Sequence, residues 1–209
     1  MKSKIDIDSW NRKEHFNFFI NFDDPFFGLT TKLDCTRAYQ KCKKQGTSLY
    51  FYYVYQSLKA ANQIENFRYR IIDNEVWCFD NIHVSATSLR PDETFGFTFV
   101  EFSESLEEFI KQATLEKEAV NLSSGLRFNE NTSRMDTIHY SAIPWIDFTS
   151  LSHAHSFKHP DSCPKISFGK IHEENGKKVL PFSIHVHHAL MDGKHVADYL
   201  ELLQQLLNK

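Results

Sequence analysis

The 209-residue sequence has only four cysteines, Cys35, Cys42, Cys78 and Cys163, widely spaced and with no CxxC pair. That spacing excludes a thiolate zinc knuckle and a dense disulfide framework, and implies packed, reduced thiols. No basic run exceeds a short one such as "KCKK", and the net charge is -3, so the electrostatic footprint of a nucleic-acid binder is missing. No window approaches the roughly 20 apolar residues of a membrane helix, and "MKSKIDIDSWNRKEHF" lacks the apolar centre of a signal peptide. A cytoplasmic protein without membrane contact is expected. Repeats, low-complexity tracts and Pro/Gly/Ser-rich linkers are also lacking, which implies one domain over residues 1–209.

Aromatic side chains are plentiful, with 19 Phe, 8 Tyr and 3 Trp, enough to fill a core or to line an apolar pocket. "NRKEHFNFFIN" reads as an early helix, "FFGLTTKLD" as a strand and "SLYFYYVYQSLKAANQI" as a long buried helix. "DCTRAYQKCKKQG" reads as a surface helix with its lysines outward, and nothing near its cysteines suggests a reactive thiol. "FRYRIID" and "EVWCFD", joined by Asp73-Asn74, carry a hairpin signal. "IHVSATSL" and "FGFTFVEF" alternate as strands. "SLEEFIKQATLEKEAVN" places Leu106, Phe109, Ile110 and Ala113 at helical spacing behind a Ser105 cap. Two strands around a turn in "ISFGKIHEENGKKVLPFSIHVHHA" and a last helix bearing Val196, Tyr199, Leu200 and Leu203 complete the order. It implies a two-layer α+β sandwich, a mixed, mainly antiparallel sheet with helices on one face.

The stretch "HVHHALMDGKH", residues 185–195, puts three histidines into four positions before the last helix. On a strand, His185 and His187 share one face while Val186 and His188 share the other. Asp192 then falls where a helix N-cap belongs, and Gly193 permits the turn. Three chemistries stay open for the run. The histidines could be hydrogen-bonded structural groups. His185 and His187 with His195 or Asp192 could bind a metal. A histidine, with its ordinary pKa of about 6.5, could act as a general base.

"HHALMDG" has the form HHxxxDG, and with "WNRKEHF", "FRYRIIDNEVWCFDNIHV", "SAIPWIDFTSLS" and "ISFGK" in order the sequence resembles the chloramphenicol acetyltransferases over nearly its whole length. The resemblance implies a homotrimer with active sites between subunits, and no permanently bound cofactor. Acetyl-coenzyme A and a small hydroxyl-bearing acceptor such as chloramphenicol would react there directly. It implies His188 as the base, with Ser141 as the oxyanion donor, worth roughly 3 to 4 kcal/mol, and Ser167 as a water-mediated contact. Asp192 would pair with Arg12, and Lys170, with Ser141, would serve the coenzyme. Pro144 and Trp145 would support the strand that carries Ser141. Phe18 and Phe19 keep the aromatic character of the acceptor pocket, while Asp23, Asp24 and Pro25 replace apolar or cysteine side chains and Ile171 replaces an aromatic one. A noncatalytic trimeric binding protein with this fold, or an enzyme for another acceptor, are the alternatives.

Overall fold

The most apolar stretch of the chain becomes the centre of the helical layer. Helix α3 (Leu49–Asn62) starts at Ser48, whose hydroxyl accepts from the Phe51 N–H at 3.4 Å, and it buries Tyr52, Val54, Leu58, Ala60 and Ala61. Around it lie α2 (Thr36–Gln45), α4 (Leu106–Asn121) and α5 (Gly193–Leu207). Gly46 ends α2 at φ 66°, a left-handed conformation that glycine adopts without steric cost. Ser105 caps α4 by accepting from the Glu108 N–H. The computed structural model describes residues 1–154, 156 and 161–209.

The main sheet is built from β2 (Phe26–Asp34), β5 (His83–Leu89), β6 (Phe95–Val100), β7 (Thr137–Ala142), β8 (Lys165–Phe168), β9 (His172–Glu174) and β10 (Lys177–His187). Its order is β2-β10-β8-β7-β5-β6, with β9 paired to β10. β5, β7 and β8 run parallel and the remaining pairs are antiparallel, so the sheet is mixed and mainly antiparallel, with the α+β layering that the sequence implies. Alternation sorts the side chains: Val84, Ala86, Ile138, Tyr140, Ile166, Phe168, Leu180, Phe182, Ile184 and Val186 join α3 and α5 in the core.

The opposite face is polar. Ser85, His139, Lys165 and His185 stand level across four strands, ending against Gly28; Ser141, Ser167, Ser183 and Thr30 form a second level. Lys165, Ser167 and Ser183 are nonetheless buried.

Two features differ from the sequence reading. Where it places two strands in residues 166–189 there are three, because Asn175 (φ 52°) and Gly176 (φ 74°) turn β9 into β10 while β8 stands apart. The hairpin of β3 (Tyr69–Ile72) and β4 (Glu75–Phe79), turning at Asp73 and Asn74 with positive φ, pairs with β1 (Lys2–Lys4) in a separate three-stranded sheet. Helix α1 (Lys13–Phe19) packs Phe16 into a second apolar cluster with Tyr69, Val76 and Leu190, which carries the start of the chain to the end of β10.

Candidate active site

β10 ends at His187, and the chain turns before α5, so His188 leaves the sheet instead of continuing its alternation. The backbone N–H of His188 donates to the Pro25 carbonyl at 2.8 Å, and its carbonyl accepts from Arg12 Nη2 at 3.1 Å. The same guanidinium grips Asp192 with both nitrogens, Nη1 to Oδ2 at 2.5 Å and Nη2 to Oδ1 at 2.9 Å. One arginine on the first helical segment thus fixes both ends of the turn that presents His188. Such a two-pronged, charge-assisted contact sets orientation as well as energy. It holds the Asp192 carboxyl below the usual carboxylate range, the Arg12 hydrogen bond outweighing partial burial. Asp192 also takes the N-cap position of α5, where its backbone N–H donates to His195 Nδ1 at 2.9 Å.

The His188 ring is clamped by aromatic faces. Phe19 stacks on it at 4.0 Å with a 7° interplanar angle, and Phe27 leans on it at 4.6 Å. Its Nδ1 is buried without a hydrogen bond, 3.5 Å from Asp192 Oδ1. The side chain as a whole is 33% exposed although Nδ1 itself is buried. A carboxylate near Nδ1 favours the tautomer protonated there, which leaves the lone pair on Nε2, the form a base needs. His187 faces the other way and is buried; its pKa is pushed down to about 4 by burial, so it stays neutral near neutral pH.

Ser141 lies elsewhere. On β7 it stands level with Ser167 and Ser183, and it lines a cavity of about 660 Å³ with His139, His153, Lys165, Phe97 and Phe128. β10 runs four residues past Ser183 to His187, roughly 13 Å at ~3.3 Å per residue, before it reaches the turn that carries His188, and β10 is two strands away from β7. A single chain therefore does not bring His188 and Ser141 together.

Phe18 and Phe19 form a ring cluster with Phe22 at 5.0 to 5.2 Å beside His188. Asp23, Asp24 and Pro25 line a second cavity of about 770 Å³ with Phe22, Phe26, Asp161 and His187. Lys170 is exposed in the turn after β8. Trp145 is 64% exposed, so it does not prop the Ser141 strand from within; the turn after β7 aims it outward, and the Ile146 carbonyl instead receives the Lys170 N–H. For a metal, no group of three or more His, Cys, Asp or Glu gathers among the described residues. His185 meets His153, His187 Nδ1 accepts from the Ala189 N–H, and Asp192 is committed to Arg12.

Sequence reasoning missed Phe27, His153, Asp161 and Lys165. Lys165 is buried, bonded to both carboxylate oxygens of Asp161 at 2.9 and 3.1 Å, and lies 4.2 Å over the Phe26 ring. The alternation in "KISF" carried a signal, since a lysine level with His185 had to share its face. Cys35 is buried with its thiol pushed up to about 11 by that burial, the wrong direction for a nucleophile.

Comparison with known proteins bears on this geometry. The family model described as chloramphenicol acetyltransferase matches residues 2–204. A chloramphenicol acetyltransferase of Campylobacter coli is 34% identical over 99% of each chain, and one of Bacillus pumilus is 31% identical over 99% of this chain and 94% of its own. A solved chloramphenicol acetyltransferase superposes with a TM-score of 0.92 at 30% identity, covering 99% of this chain and all of its own. A probable dihydrolipoamide acetyltransferase of Listeria monocytogenes shares the fold, with a TM-score of 0.69 at 10% identity over 93% of this chain and 88% of its own.

Proposed function

The chain belongs to the chloramphenicol acetyltransferase family of enzymes, and from that premise we propose that it moves the acetyl group of acetyl-coenzyme A to a hydroxyl of chloramphenicol or a related small alcohol. The observation that carries the reading is the His188 turn, where Arg12 grips Asp192 and the His188 carbonyl and so holds Asp192 Oδ1 3.5 Å from the His188 Nδ1. His188 Nε2 takes the proton of the acceptor hydroxyl as its oxygen attacks the thioester carbonyl. The tetrahedral oxyanion accepts a hydrogen bond from Ser141, with Ser167 adding a contact through water. The intermediate then collapses, the carbon–sulfur bond breaks, and the imidazolium returns its proton to the departing thiolate. Transfer is direct within a ternary complex, with no acyl-enzyme and no permanently bound cofactor.

The separation of His188 from Ser141 supports a site shared between copies, in which one subunit brings the base and its neighbour brings the serine wall. A homotrimer of single-domain subunits over residues 1–209 supplies three such sites. Phe18 and Phe19 then flank the acceptor beside the base, and Lys170 meets a coenzyme phosphate from its exposed turn. We place the enzyme in the cytoplasm; no helix among the described residues is long and apolar enough to cross a membrane.

One observation favours a different acceptor in the same reaction. Asp23 and Asp24 line the cavity next to the His188 turn, and carboxylates beside an apolar drug lose water without gaining a partner, whereas a polar alcohol would engage them; Asp161, on the same cavity, is already paired with Lys165. The test is thiol release from acetyl-coenzyme A with and without chloramphenicol, in the intact protein and in His188→Ala. Drug-dependent release that vanishes in the variant supports the first acceptor. Coenzyme binding without drug turnover moves the choice to polar alcohols, and release that survives in His188→Ala would sink the assignment of the base.

A further inference from the structure

On the helix-free face of the sheet, His153 links the two polar levels. Its Nδ1 lies 3.0 Å from His185 Nδ1 and its Nε2 lies 2.8 Å from Ser167 Oγ, with the imidazoles edge-on at 4.7 Å and 81°. At that spacing one proton sits between the two Nδ1 atoms, because two lone pairs or two N–H groups would repel. A neutral imidazole carries one ring proton, so this contact also decides the far nitrogen of His153. If His153 donates to His185, its Nε2 is bare and Ser167 spends its hydroxyl hydrogen on it. If His185 donates, His153 carries its proton on Nε2, Ser167 becomes the acceptor, and the serine's own hydrogen is released.

We infer that His185 is the donor, and that His153 is a positioning residue that holds Ser167 as acceptor and frees its hydroxyl hydrogen for the oxyanion region beside Ser141. The direction rests on the acetyl-transfer reading, which needs donors there. Ser141 is the register partner of Ser167 on β7, and it shares the 660 Å³ cavity with His153. On the other side, Ser183 Oγ is buried without a hydrogen bond, so it does not take the freed hydrogen. His185 is seated by Gly28, since a Cβ there would overlap the imidazole.

Two measurements on the full chain test this. Long-range proton–nitrogen NMR of the histidines reads the tautomer without any turnover: His153 is expected in the Nε2–H form, changing in His185→Leu. In steady-state kinetics, His153→Leu is expected to lower kcat about tenfold, the worth of one hydrogen bond, with the KM for acetyl-coenzyme A unchanged. His153→Gln, which returns an N–H donor, recovers most of that loss, and His153→Leu costs nothing further in a Ser167→Ala background. An Nδ1–H tautomer at His153, or equal losses in both backgrounds, overturns the inference. An intact protein with no acceptor-dependent release but with an Nε2–H tautomer coupled to His185 upholds the hydrogen-bond direction and sinks the acetyl-transfer reading instead.

Discussion

The His188 turn and the Ser141 wall are two halves of one proposed site built by different means. The turn is local in its logic: a strand ends, a helix begins, and Arg12 ties the carbonyl of His188 to the carboxylate of Asp192 within a few ångströms. The wall is made by strand register, which sets Ser141 against Ser167 and His139 against Lys165 although 26 residues separate each pair in the chain. The first kind of site leaves its mark in a short motif. The second is assembled from side chains whose meaning depends on which strands are neighbours.

The contrast predicts how each half fails. The largest effect belongs to the base: His188→Ala is expected to cut acceptor-dependent thiol release roughly a hundred- to ten-thousandfold with the fold retained, since the imidazole makes no hydrogen bond of its own. Circular dichroism beside the kinetics separates that from unfolding. On the wall, Ser141→Ala should cost roughly a hundred- to thousandfold in kcat, the range of a lost oxyanion donor. A comparable loss in acetyl-coenzyme A affinity alone would instead make Ser141 a coenzyme contact.

Arg12→Ala comes next and should move both stability and rate. Breaking a fully buried pair costs about 3 to 5 kcal/mol, and the 35% exposure of Asp192 brings the expected loss below that. A lowered Tm with a reduced kcat is the expected result, and an unchanged rate would separate the ion pair from the placing of His188.

The smallest effect is one of pH. His187 has its pKa lowered to about 4 by burial, so between its ordinary value near 6.5 and that value the unfolded chain binds the proton and the folded chain does not. Its contribution to stability is therefore complete above about pH 6.5 and lost as the pH falls toward 4. Thermal melts of His187→Gln across that window should slope less than those of the intact protein. Parallel slopes would show that other groups dominate.

The same contrast explains what the sequence disclosed. The long helix at 49–62, the capped helix at 106–121 and the β3–β4 hairpin turn were legible because capping, periodicity and turn chemistry are local. The mixed sheet order was not, since the parallel pairing of β5, β7 and β8 joins strands separated by long connections, α4 before β7 and a long segment before β8, and no local signal marks which strands become neighbours. In the site, the HHxxxDG motif pointed to His188 and Asp192, and the resemblance added Arg12. His153 stayed hidden: a histidine in an irregular segment has no periodicity to read, and only register brings His185 and Ser167 to it.

The central claim is that His188 of one subunit works with Ser141 of another. Subunit complementation tests it most directly: His188→Ala and Ser141→Ala proteins are prepared separately, each near-inactive, then unfolded together and reassembled. Mixed oligomers in equal proportion should place an intact His188 against an intact Ser141 in about one site in four, and thiol release should rise to that share of the intact enzyme's rate. A mixture that assembles fully and stays as inactive as its parents would contradict the shared site.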